Sequence, residues 1–259
     1  MPTPSRPAPV APRTGAAFPT RVHNDVAGAV TSVVVVVLLP VLLALAALLV
    51  PGPGGNPLAS AGGLLRQATG DGIVLVVLVV LVSALGGWRS VLVEDRPTRP
   101  WWGVAVLVVF VVVSALVVLT PIRSDAPGYL GALALGTVAV ALVEETVFRG
   151  VLVAGLRRVA PEWLVWLATC LLFSLAHALN ANGTFQLVTT FLLGSTCYLA
   201  RRVSGSLLGA VVVHAVYDAY LGYRTQTDGV PFLVSAAATL LLLVAAVAGL
   251  VVALRRPAR

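Results

Sequence analysis

The chain has no lysine: all seventeen of its basic residues are arginine. It also has little charge of either sign, with 10% charged residues where a soluble domain carries about 25%. Two cysteines, Cys170 and Cys197, are too few and too widely spaced for a disulfide framework or a thiolate metal motif, and each lies in an apolar run where packing is the expected role. The net charge is +7. However, the arginines sit in short segments between apolar stretches instead of forming a patch interleaved with aromatics, so nucleic acid is excluded as a partner. What remains is apolar: 59% of the residues are hydrophobic and the mean hydropathy is +1.00. This composition places the chain in the membrane class, with the lipid bilayer as its surroundings.

Eight apolar runs follow one another, at about 27–50, 72–93, 101–121, 128–149, 162–180, 184–201, 205–223 and 230–254. Each is long enough, or nearly so, to cross a hydrocarbon core of roughly 30 Å as a helix. The expected fold is therefore all-α, a polytopic membrane helix bundle of about eight transmembrane helices spanning 27–254. Residues 1–26, rich in Pro and Ala, read as a disordered tail, and 255–259 as a cytoplasmic tail. "PGPGGNP" and "EDRPTRPWW" are loop punctuation, and "NANGT" carries turn chemistry. With the N-terminus inside, the inner segments hold Arg6, Arg13, Arg21, Arg96, Arg99, Arg157, Arg158, Arg201, Arg202, Arg255, Arg256 and Arg259, whereas the outer ones hold only Arg66, Arg123 and Arg224. Twelve against three agrees with the positive-inside rule. The expectation is an integral membrane protein with both termini cytoplasmic, in the plasma membrane of a prokaryote.

Removing the loops leaves six ionisable residues at depth: Glu144, Glu145, Arg149, His177, His214 and Asp218. Each charge at the centre of a membrane helix costs roughly 2.5–3.5 kcal/mol, against about −0.3 to −0.6 for a Leu, Val or Phe. "AVALVEETVFRGVLV" (139–153) carries three of them, which is tolerable only where they face a bundle interior or wet cavity and find partners. Glu145 and Arg149 are i, i+4 and share a helical face, so they are expected to pair. Glu144 is off that face and remains freer. Two acids in unlike environments suit acid–base chemistry, while a purely structural ion pair is the alternative. His214 and Asp218 are also i, i+4, the arrangement of an oriented imidazole, of half a metal site, or of a structural bond. His177 taken alone reads more readily as a packed core residue than as a site.

Depth joins the three helices. Glu144 is 13 residues from Arg157, His214 is 12 from Arg202, and His177 is 16 from Pro161. At 1.5 Å per residue these are all roughly 18–24 Å along an unbroken helix, so the groups are expected in one layer.

At these residues the chain resembles the CAAX prenyl endopeptidase and abortive-infection membrane proteins, the CPBP intramembrane protease family. The family pattern is EExxxR, FxxxH, then HxxxN or HxxxD on successive helices. Here it reads "EETVFR" (Glu144, Glu145, Arg149), "FSLAH" (Phe173, His177) and "HAVYD" (His214, Asp218), with a family-like core over 128–222. The resemblance implies an intramembrane endopeptidase cutting a peptide or membrane-protein substrate. In such an enzyme Glu144 activates a water, His177 assists, and His214 and residue 218 stabilise the oxyanion. Asp218 stands where the family often has Asn, whose amide donates a hydrogen bond; an ionised Asp cannot, so it must be protonated, orient His214, or bind a metal. Glu144, His177 and His214 also make a possible zinc or other divalent metal set, but HExxH is absent and no tightly bound metal is the expectation. Two other functions fit the composition: a non-catalytic membrane immunity or scaffold protein, and a proton-coupled transporter, although no internal repeat supports the latter.

Overall fold

A computed structural model describes residues 18–52, 56–123, 128–178 and 183–255. Among them are ten α-helices and no strands, only two isolated bridges. Helix α1 (Asp25–Leu49) is capped by the Asn24 side chain, which accepts from the Ala27 N–H, and α2 (Ala61–Leu85) is capped by Ser60, which accepts from Gly63. Gly86 and Gly87 end α2 at φ of +72° and +108°; a Cβ on Gly86 would run into the Thr20 hydroxyl. That turn starts the short α3 (Trp88–Leu92), followed by α4 (Trp101–Ala115). Next comes a continuous rod: α5 (Tyr129–Glu145), a π-helical stretch over Thr146–Leu152, and α6 (Val153–Leu156). The rest are α7 (Glu162–Ala176), α8 (Gly183–Ser204), α9 (Leu207–Arg224) and α10 (Phe232–Leu254).

The protein is an all-α integral membrane bundle. Among the described residues, five helical stretches are long and apolar enough to cross a membrane: Asp25–Leu49, Ala61–Leu85, Trp101–Leu119, Tyr129–Leu156 and Phe232–Leu254. Large apolar side chains such as Leu48, Val76, Val80 and Phe232 point outward, as a lipid-facing surface requires, while Phe110, Phe148 and Phe173 fill the interior. The rod containing α5 runs between α2 and α9, so it is the central strut.

Several boundaries differ from the sequence reading, and two of them bear on the site. Helix α2 begins at Ala61, eleven residues before the expected start. "AGGLLRQATGD" looked like a loop, but the Ser60 cap and packing of Leu64 against Gly136 hold it helical. Helix α7 stops at Ala176, so His177 is its C-cap and not an interior residue. Much of the presumed tails and loops, including Arg6, Arg13, Arg256, Arg259 and most of "NANGT", lies outside the described residues. The described end of the N-terminal segment packs on the bundle: Phe18 is buried, and Arg158 donates to the carbonyls of Pro19 and Val22.

The arginines at one end of the bundle do more than mark topology. Arg157 and Arg201 both bind the buried Glu94, at 2.7 and 3.0 Å. Arg96, Arg157 and Arg202 bind Glu162, which also accepts from the Tyr198 hydroxyl. Arg201 further donates to the carbonyls of Ser90, Val91 and Arg149. This network clamps the α3–α4 loop, the end of α6, the start of α7 and the end of α8. Glu94 lies in that loop, outside the spans. Burial opposes its ionisation, but the guanidiniums of Arg157 and Arg201 outweigh burial and hold its carboxyl below its ordinary value of 4.5. A depressed folded pKa gives stability that is complete above the unfolded value and lost as pH falls through the folded one. The unfolding temperature in detergent should therefore drop progressively below about pH 4.5, and Glu94→Gln should flatten that drop. An unchanged acid profile in Glu94→Gln would count against the clamp.

Candidate active site

The widened turn at 146–152 lies beside the site, and π-helical turns inside α-helices occur often at functional sites. Arg149, inside it, is fully buried and donates from Nη1 to Glu145 Oε1 at 3.0 Å. Its guanidinium also lies 4.2 Å from the centre of the Phe173 ring, a cation–π contact in a desolvated interior. Gly194 leaves room for it, since a Cβ there would come within 3.0 Å of Arg149 Nη2. The expected Glu145–Arg149 pair is thus present, with both side chains at 0% exposure. Glu145 Oε1 has a second partner, His214 Nδ1 at 2.8 Å. A carboxylate only accepts, so Nδ1 of His214 carries the proton and donates.

Glu144 is on the other side. Its Oε1 lies 3.8 Å from His177 Nε2 and its Oε2 lies 3.7 Å from His214 Nε2. His214 Nε2 is also 3.4 Å from Asp218 Oδ2. His177 Nδ1 is 2.9 Å from the Phe173 carbonyl, one of the acceptors left unpaired where α7 ends. A carbonyl can only accept, so that nitrogen holds the proton, and a neutral His177 turns a bare Nε2 lone pair toward Glu144. Phe173 therefore orients two groups: its carbonyl fixes the His177 ring, and its own ring packs edge-on against His214, centres 5.7 Å apart. All six residues singled out by sequence meet here, contributed by α5, the π stretch, α7 and α9.

Glu144 also lines a cavity of about 620 Å³. The other walls come from α1 (Leu43, Ala47), the segment before α2 (Asn56, Pro57, Ala59, Ser60) and one face of α2 (Gly63, Arg66, Gln67, Gly70, Asp71). Sequence reading missed Asp71, having placed it ahead of the second span. A signal was available: Leu64, Ala68, Asp71, Val74, Leu78 and Val82 form one buried stripe at steps of three and four.

Sequence spacing gave no hint of a metal group containing cysteine, yet Glu145, Cys197 and His214 bring their ligand atoms within 4.8 Å of one another. This carboxylate, thiol and imidazole set could hold an ion such as zinc. Glu145 is already engaged by Arg149 and His214, so an ion would displace one of these and stand beside the guanidinium.

Residues 126–220 match the family model described as type II CAAX prenyl endopeptidase Rce1-like. The match spans all three motifs and agrees with the resemblance that they carry. A search among curated proteins found no match for the chain.

Proposed function

We propose that the protein is an intramembrane endopeptidase, similar to CAAX proteases, that hydrolyses peptide bonds in or next to the bilayer with Glu144 as the general base. One observation carries this reading: a cavity-lining carboxylate stands 3.8 and 3.7 Å from two imidazole nitrogens. Atoms at such separations can hydrogen-bond the same oxygen, each at about 2.8 Å. A water held between Glu144 Oε1 and His177 Nε2 donates one proton to each and turns a lone pair to a substrate carbonyl. Glu144 takes a proton as the water oxygen bonds to the carbonyl carbon, and later returns it to the leaving amine. Nδ1 of His214 donates to Glu145, so it is the imidazolium form, with a second proton on Nε2, that donates to the developing oxyanion. Asp218, beside Nε2, orients that ring and need not donate to the oxyanion itself. This is the role open to an aspartate in place of Asn.

The substrate is a peptide or a membrane-protein segment. The arginine-rich end of the bundle, with both termini, faces the cytoplasm of a prokaryotic cell across its plasma membrane. No step is assigned to a metal. The test is cleavage of a peptide library by the detergent-purified protein, with and without a chelator. Wild type should cut, and His177→Ala should slow kcat by about 10²-fold, the low end for a lost proton-transfer partner. Absence of any cleavage by wild type would sink the proposal, and loss on chelation with recovery on zinc would move the chemistry to a metal.

A further inference from the structure

The cavity has a direction. Ala59 and Ser60 at its rim are exposed, Gly63, Gln67 and Gly70 are half-buried, and Asp71 at its floor is 5% exposed. From Ser60 to Asp71 the wall of α2 descends about 16 Å, the length of about five extended residues. At the floor stand two carboxylates, Asp71 from α2 and Glu144 from the central rod, close enough to repel each other. Asp71 Oδ2 makes no hydrogen bond. Among the lining residues the one basic side chain is Arg66, which binds the carbonyls of Ala47 and Val50 at the end of α1. The floor thus brings two carboxyl groups together, one of them with a buried, unpartnered oxygen. Such an oxygen is costly unless something cationic or a proton meets it.

We infer that Asp71 forms a subsite for a cationic nitrogen of the substrate, carried next to the scissile bond that Glu144 attacks. This rests on the hydrolase reading above and adds a substrate class to it: peptides with a basic side chain, or with a free terminal ammonium, at the position that reaches Asp71. A lysine or arginine there buries its aliphatic stem along Gly70 and Val140 and brings its charge to both acids. The depth of the cavity admits a short chain tail of about five residues, not a folded domain.

The experiment compares kcat/KM for peptides that carry lysine or its uncharged isostere norleucine on either side of the scissile bond. Each peptide is made with a free and with an acetylated N-terminus, to separate a side-chain cation from a terminal one. The full-length protein in detergent should prefer one cationic form by about tenfold or more, because a site built for a polar group discriminates against an analogue lacking it. In Asp71→Asn that ratio should fall to about one. A ratio near one in wild type, or an unchanged ratio in Asp71→Asn, overturns the subsite. The wild-type ratio decides even where the variant does not fold. Binding of the same peptides to Glu144→Gln separates the two proposals. Tighter binding of the cationic peptide without cleavage by wild type removes the hydrolase reading and keeps the subsite, while cleavage without preference does the reverse.

Discussion

Glu144→Gln should lower peptide hydrolysis by about 10⁴-fold, the upper range for a lost general base. Gln keeps the shape of the side chain but cannot accept a proton from water. The fold should not suffer. Glu144 shares the interior with three other carboxylates, on Asp71, Glu145 and Asp218, and only Glu145 has a guanidinium at hydrogen-bond distance. Removing one negative charge from that group relieves repulsion, so the unfolding midpoint of Glu144→Gln should match or exceed that of wild type. Lost activity with undiminished stability marks a residue kept for chemistry at the expense of the fold. Wild-type rates in Glu144→Gln would end the mechanism, whereas loss of activity together with loss of fold would make Glu144 a structural residue.

Arg149→Met should produce the largest loss of stability, about 3–5 kcal/mol, because it strands a fully buried Glu145 carboxylate. The Met side chain fills similar space against Phe173, so what is lost is charge compensation more than packing. The double variant Glu145→Gln, Arg149→Met should recover most of that loss, since replacing both members of a buried pair costs far less than orphaning one. In Glu145→Gln the new amide oxygen can still accept from His214 Nδ1. Chemical denaturation in detergent micelles reads all three proteins. A single variant that loses less than about 1 kcal/mol would show that the pair is not what makes burial of Glu145 tolerable.

The site was legible because the membrane makes polar residues rare. In a chain so apolar, each buried acid or histidine stands out, and helical spacing alone separates Glu145, paired with Arg149, from Glu144. Depth counting brought Glu144, His177 and His214 into one layer, and the distances of 3.7 and 3.8 Å agree with it. The same contrast hid Asp71. Its neighbours Arg66, Gln67, Thr69 and Gly70 make a polar stretch that reads as loop, and the Ser60 cap with packing against the central rod makes it helix. Cys197 was hidden for another reason: its partners Glu145 and His214 come from two other helices, and no spacing along one chain encodes that. Likewise Arg157, Arg201 and Arg202 looked like loop charges. Whether an arginine at a helix end faces water or a buried Glu94 or Glu162 depends on a loop folding back over it.

The π stretch has a consequence best put as rotation. Bonding from i to i+5 takes up more residues per turn than an α-helix does, so the surplus residue steps everything beyond Leu152 round by roughly 100°. Before the step, the rod's azimuth is set by Glu144 and Glu145 facing the two histidines. Beyond it, the azimuth is set by Arg157 facing Glu94 and Glu162. One continuous strut thereby meets two angular requirements that a uniform helix of the same sequence could not satisfy together, and its reactive end is indexed to its anchored end like two cams on a single shaft.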